Sequence, residues 1–167
     1  MMRTFVLLVT LFLCYGAMAQ TAAVDTLAPY QKNKKLPNFN LLALDGQWYD
    51  VYNSNKEKNT AIIVFSPDCH HCEIEAEELS KNLDKLKNID FLWVTTSGDK
   101  EGVMNFSKKY GFDNQPNFKF FRDPNFATIL FYEVRTTPFT AIYNNKGTLK
   151  EVFRNSTSTA NILKAVK

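Results

Sequence analysis

Cysteine is scarce in this chain. Of its three cysteines, Cys14 lies in an apolar N-terminal stretch, so only Cys69 and Cys72 remain for the body of the protein, and any disulfide framework reduces to one pair. Histidine is scarcer still, with His70 and His71 the only two. Neither sign of charge dominates: 20 Lys and Arg against 17 Asp and Glu leave +3. That balance argues against nucleic-acid binding, and the cluster of Lys32, Lys34 and Lys35 reads as a solvated tail. No apolar run reaches the roughly 20 residues that a membrane helix needs. Nucleotide-binding loops, metal-hydrolase patterns and nucleic-acid motifs are also missing.

What is present divides unevenly. Residues 1–19 carry the marks of a secretory signal: Arg3, an apolar run from Phe5 to Tyr15, and Ala17-Met18-Ala19 as a small-x-small cleavage site. Leu13 is bulky where lipoprotein signals have a small residue before the cysteine, which argues against membrane anchoring through Cys14. An exported, periplasmic protein is therefore expected. Gln20 to Lys35 has no periodicity and reads as a flexible arm. Residues 36–167 suit one domain, and the whole chain's hydrophobic fraction of 45% agrees with a real core.

The densest signal is Phe65-Ser66-Pro67-Asp68-Cys69-His70-His71-Cys72. A β-branched and aromatic run from Ala61 to Phe65 ends in a turn that delivers Cys69 to the start of a helix. Unpaired N–H groups and the positive end of the macrodipole favour a thiolate there, which makes Cys69 the candidate nucleophile. Cys72, three residues on, shares its helix face. A staple between them would close only four residues and remove roughly 2 kcal/mol of unfolded-state entropy, against about 4.7 for a 100-residue loop. Reversible exchange explains the pair better.

The remaining periodicities predict a hairpin around Asp45-Gly46, a polar loop from Asn53 to Asn59, and a strand from Thr60 to Phe65. A helix opening at Cys69 carries an apolar stripe of Cys72, Ala76, Leu79, Leu83 and Leu86. Next come a strand at Ile89–Thr95, a helix at Asp99–Tyr110 stopped by Gly111, a strand at Phe118–Phe121 and a short helix at Phe126–Tyr132. Strands at Phe139–Tyr143 and Leu149–Arg154 then form a hairpin, and a last helix is capped by Ser156 or Thr157. The expected class is α/β, a mixed sheet flanked by helices. Trp48 and Trp93 read as packing; Thr140 and Tyr143 read equally well as core or as part of a substrate groove.

These motifs resemble the thioredoxin-like proteins and, among them, the exported TlpA/ResA-type thiol–disulfide oxidoreductases. The likeness rests on Cys69-His70-His71-Cys72 at a helix start, Thr136-Thr137-Pro138 before a strand, and the N-terminal β-hairpin extension from Pro37-x-Phe39 to Asp45-Gly46. It implies a thioredoxin-like fold, a cis Pro138 against the cysteines, and a Thr137 backbone that pairs with an extended substrate. It also implies a reductase acting on exported proteins, such as those awaiting haem attachment, fed by a membrane electron donor. Departures from the pattern bear on chemistry. Ile63 stands where thioredoxin has a buried aspartate; Glu75, at the C-x-x-C-x-x-Glu position, either replaces it as acid/base near Cys72 or simply favours the helix start. Asp68, in place of tryptophan, opposes a Cys69 thiolate, while protonated His70 or His71 would support one, leaving the direction of exchange open.

The expected partners are exported protein thiols or disulfides, with no nucleic acid, no bound cofactor and a monomeric state. Rival readings are a fold of this kind with an inert disulfide, serving only as a binding module, and a copper or zinc carrier using both cysteines and a histidine. A peroxidase of the peroxiredoxin class would need proline at Ile62, and only Ser66 fits its signature.

Overall fold

The computed structural model of the protein describes residues 26–53 and 57–167. The expected signal segment, residues 1–19, the first part of the expected arm and the middle of the polar loop lie outside those residues. The described strands are β1 (Asn40–Ala43), β2 (Trp48–Asp50), β3 (Asn59–Val64), β4 (Ile89–Thr95), β5 (Phe118–Arg122), β6 (Phe139–Tyr143) and β7 (Leu149–Phe153). They form a single sheet in the order β2-β1-β5-β4-β3-β6-β7. The central β3, β4 and β5 run parallel, and every outer pairing is antiparallel. The helices are α1 (Pro29–Lys32), α2 (His70–Ser80), α3 (Lys100–Lys109), α4 (Ala127–Tyr132) and α5 (Thr159–Ala165). This is the thioredoxin-like architecture with an added N-terminal hairpin.

The near-continuous apolar runs of β3 and β4 suit strands covered on both faces. Period-two alternation sorts their side chains into separate cores. Ala61, Ile63, Phe91 and Trp93 face α2, α3 and α5; Ile62, Val64, Leu92 and Val94 face α1, α4 and β1. Trp93, fully buried, anchors the first core among Phe65, Phe106, Phe112 and Phe120. Because β3, β4 and β5 are parallel, their C-terminal ends share one edge. The cysteine turn leaves β3 there, and the loop after β4 lies over it. Gly98, at φ +83°, is where the two meet: a Cβ would come within 3.2 Å of Pro67 Cγ. Gly46, at φ +91°, makes the β1–β2 turn.

Several expectations are corrected. Residues 26–35 are not a flexible arm: Tyr30 on α1 is buried against Tyr132 and Phe139, and its hydroxyl accepts from Arg154 Nη2 at 2.7 Å. Lys34 O also accepts from the Leu149 N–H. One aromatic side chain covering the α4 face outweighs the polar composition around it. The helix opening at the cysteines stops at Ser80, and Leu83–Lys85 forms a separate 3₁₀ turn that still buries Leu86. Ser80 Oγ donates to Glu77 O, and Asn82 Nδ2 to Glu78 O, so side chains compete for the helix carbonyls there. Trp48 is 53% exposed on the edge strand β2. Ser158, not Ser156 or Thr157, caps α5. Thr140 and Tyr143 are wholly buried, so neither lines a groove.

The Tyr132 and Tyr143 hydroxyls lie 2.8 Å apart and both rings are inside the second core. Tyr132→Phe strands its partner's hydroxyl and should cost about 1–3 kcal/mol. Tyr132→Phe/Tyr143→Phe should cost clearly less than the two single changes summed, as read from urea unfolding midpoints.

Candidate active site

Phe65 extends β3 by one bond, its N–H donating to Val94 O at 2.9 Å, before the chain turns through Ser66-Pro67-Asp68. The turn closes where the Cys69 N–H donates to Ser66 O at 3.1 Å. Cys69 sits at the start of α2 as its N-cap, with extended backbone (φ −93°, ψ 114°). Its Sγ accepts from the Cys72 N–H at 3.3 Å. A sulfur thus occupies the place where a capping oxygen ordinarily satisfies an orphan helix donor, and negative charge on it is favoured.

The second motif meets the first here. The Thr137–Pro138 peptide is cis, as the resemblance implied, and Cys69 Sγ donates to Thr137 O at 3.3 Å across 68 positions of sequence. Pro138 is buried, Cys69 is partly exposed and Cys72 fully buried; both cysteines are free thiols. The environments of the sulfurs divide their acidities. Burial pushes Cys69 up, but hydrogen bonds from the Cys72 and Thr137 side chains and from the Cys72 and His71 backbone outweigh it, leaving this thiol below its ordinary value. Burial, reinforced by the hydrogen bond to Cys69, pushes Cys72 up to about 12 against weaker help from Ser66 and Thr137. The outer sulfur therefore ionises first, and the inner one holds its proton.

Glu75 lies one turn beyond Cys72 on the buried side of α2. Its Oε1 accepts from Thr140 Oγ1 at 2.9 Å, while Oε2 has no partner. Burial pushes this carboxyl up to about 7, opposed by the Thr140 hydroxyl and the Thr157 backbone N–H. The β3–β6 register pairs Ile63 with Thr140. The face that lacks a carboxylate on β3 thus receives a hydroxyl from β6 and a carboxyl from α2.

The other expected residues lie farther out. Asp68, His70 and His71 are exposed; His70 Nδ1 is 3.9 Å from Glu73 Oε2. His71 reaches Cys69 through its backbone, whose hydrogen bond helps hold that thiol below its ordinary value. Glu73 is bound by Lys109 Nζ at 2.5 Å, which neutralises a carboxylate adjacent to Cys72. Neither that pairing nor the Thr140–Glu75 contact was visible in the sequence, because each depends on where distant elements pack. Among the described residues, no group of three or more His, Cys, Asp or Glu side chains is arranged to hold a metal ion. No described helix is long and apolar enough to cross a membrane.

Comparisons with known proteins agree with this geometry. The Redoxin family model matches residues 31–166. No curated protein matches the chain by sequence. Among solved structures, a secreted Mycobacterium tuberculosis disulfide oxidoreductase homologous to DsbE is similar at 23% identity and TM-score 0.63, over 77% of this chain and 94% of that one. StoA from Bacillus subtilis is similar at 15% identity and TM-score 0.60, over 79% and 98%. A putative protein disulfide isomerase from Bacteroides thetaiotaomicron is similar at 15% identity and TM-score 0.62, over 79% and 84%. At such identities these likenesses concern the fold.

Two outcomes are expected. Alkylation of native protein by iodoacetamide should modify Cys69 with a midpoint below the ordinary thiol range and leave Cys72 unmodified until the protein is unfolded. Glu75, whose folded pKa lies above its unfolded one, binds its proton more tightly in the native state, so stability falls as pH rises toward and through about 7. Compared with Glu75→Gln, the natural protein should lose about 3 kcal/mol between about pH 4.5 and about pH 8 in urea unfolding.

Proposed function

This chain belongs to the Redoxin family, and from that premise we propose that it is a thiol–disulfide oxidoreductase whose redox pair is Cys69 and Cys72. The observation that carries the assignment is the placement of a partly exposed, helix-capping Cys69 sulfur 3.3 Å from Thr137 O, with the buried Cys72 behind it. The Cys69 thiolate attacks a partner's disulfide, forming a mixed disulfide and releasing one partner sulfur as thiolate. Cys72 then attacks Cys69 Sγ and the second partner sulfur leaves with its electron pair. The enzyme dithiol is oxidised to a disulfide, and the partner disulfide is reduced to two thiols. No bound cofactor is required, since the electron pair resides in the two sulfurs.

Resolution requires Cys72 to lose a proton from a site closed to water. Glu75 is the acceptor in this reading: it shares the buried side of α2, has one unpartnered oxygen, and holds its carboxyl up at about 7. Thr137 and Pro138, against which Cys69 rests, are the docking edge for an extended segment of the partner. Net reduction of exported proteins is the direction favoured, on the resemblance to TlpA/ResA-type proteins and the expected signal segment; it calls for a membrane-borne dithiol donor to restore Cys69 and Cys72.

Cys72→Ser should accumulate partner proteins covalently on Cys69, released by dithiothreitol, whereas Cys69→Ser should trap none and reduce insulin no faster than buffer. Full insulin reduction by Cys69→Ser would refute the assignment. A Cys69–Cys72 potential near about −270 mV supports the reductase direction, and one near about −120 mV reverses it.

A further inference from the structure

We propose that Thr140 is a positioning residue for the resolving step: its hydroxyl anchors one oxygen of Glu75 so that the other is held ready to take the Cys72 proton. The proposal rests on the reading of Glu75 as proton acceptor and deepens it. Cys72 is fully buried, so its proton must first pass to a group inside the protein. β3 offers none, since Ile63 stands where an acid would serve. On α2, the ionisable residues one turn from Glu75 are His71, which is exposed, and Cys72 before it and Glu78 after it. Glu78 Oε1 is engaged by the Thr159 N–H at 3.2 Å and by Asn82 Nδ2 at 3.4 Å. β3 and β6 present Ile63 and Thr140, and the segment leading into α5 presents Thr157; none of these titrates. No charged group contributes to the state of Glu75.

A glutamate side chain has three torsions, and in this core only the Thr157 backbone N–H and the Thr140 hydroxyl are donors to its carboxyl. Thr140 Oγ1, at 2.9 Å and fully buried, is the side-chain donor that orients it. With Oε1 anchored, Oε2 is left bare and buried. Thr140 lies on β6 two residues beyond Pro138, so the segment that brings the Thr137 carbonyl to Cys69 also brings the hydroxyl to Glu75. In the step itself the Cys72 S–H bond breaks and the proton goes to Glu75 Oε2. The Cys72–Cys69 S–S bond forms, and the bond from Cys69 to the partner sulfur breaks with its electron pair leaving on that sulfur. The partner disulfide is the only oxidant needed.

The test follows release of thionitrobenzoate from the adduct formed on Cys69 by Ellman's reagent, a reaction that requires Cys72, across about pH 5 to about pH 9. In the natural protein the rate should rise through a limb near about 7. Thr140→Val, which keeps the shape and deletes the donor, should move that limb up by about one pH unit and slow release about fivefold or more at neutral pH. Thr140→Ser should restore both, and Glu75→Gln should abolish the limb. Adding Thr140→Val to Glu75→Gln should then change nothing further. An unmoved limb in Thr140→Val, or equal slowing in the Glu75→Gln background, overturns the role of Thr140 while leaving that of Glu75 intact. A normal limb in Glu75→Gln overturns the reading beneath it. Should Thr140→Val not fold, Thr140→Ala replaces it under the same criteria.

Discussion

The antiparallel register between β3 and β6 is the constraint on which the site depends. It pairs Val64 with Phe139 and Ile63 with Thr140, and thereby fixes where the chain re-enters the neighbourhood of the cysteines. From this one alignment follow the contact of Cys69 Sγ with Thr137 O and that of Glu75 with Thr140. Strand periodicity makes the alignment unforgiving: a slip by one residue would turn Thr140 to the α4 face and present Phe139 to α2. The two apolar cores hold it in place, because such a slip would exchange the side chains that each of them receives and spoil the packing of both. Packing energy spread over the whole sheet is in this way focused on the position of a few polar atoms.

Around that scaffold, burial does most of the electrostatic work. Cys69 and Cys72 have the same intrinsic chemistry and are separated by two residues, yet one is held below its ordinary acidity range and the other is pushed up to about 12. The difference is positional. Cys69 caps a helix and collects donors at the surface; Cys72 is one turn inside, where desolvation dominates. Charged side chains contribute little, since His70, His71 and Asp68 are exposed and Lys109 already pairs with Glu73.

Much of this was legible before any coordinates, for identifiable reasons. β4 at Ile89–Thr95 and α3 up to its stop at Gly111 follow from local pattern alone, and so do both hairpins. The cysteines and Thr137-Pro138 were recognisable because their spacing and element order resemble a known arrangement. What escaped were interactions between segments far apart in sequence. Tyr30 docks on Tyr132, Thr140 bonds to Glu75 across 65 positions, and Lys109 reaches Glu73 across 36. Composition made residues 26–35 look like a tail because one aromatic side chain carries the docking. The helix end at Ser80 was hidden because its stripe continues correctly to Leu86 on a different kind of turn.

The placement of Glu75 carries a compromise. A carboxyl enclosed in the core, with only the Thr140 hydroxyl and the Thr157 backbone N–H to offset its burial, is comfortable only while neutral, but it can receive a proton only once it has lost its own. If Glu75 takes the resolving proton as proposed, acid surroundings would give a sturdy molecule that turns over slowly; alkaline ones, a quicker catalyst on a looser frame. The compartment's acidity therefore sets a working optimum that neither rigidity nor speed would choose alone.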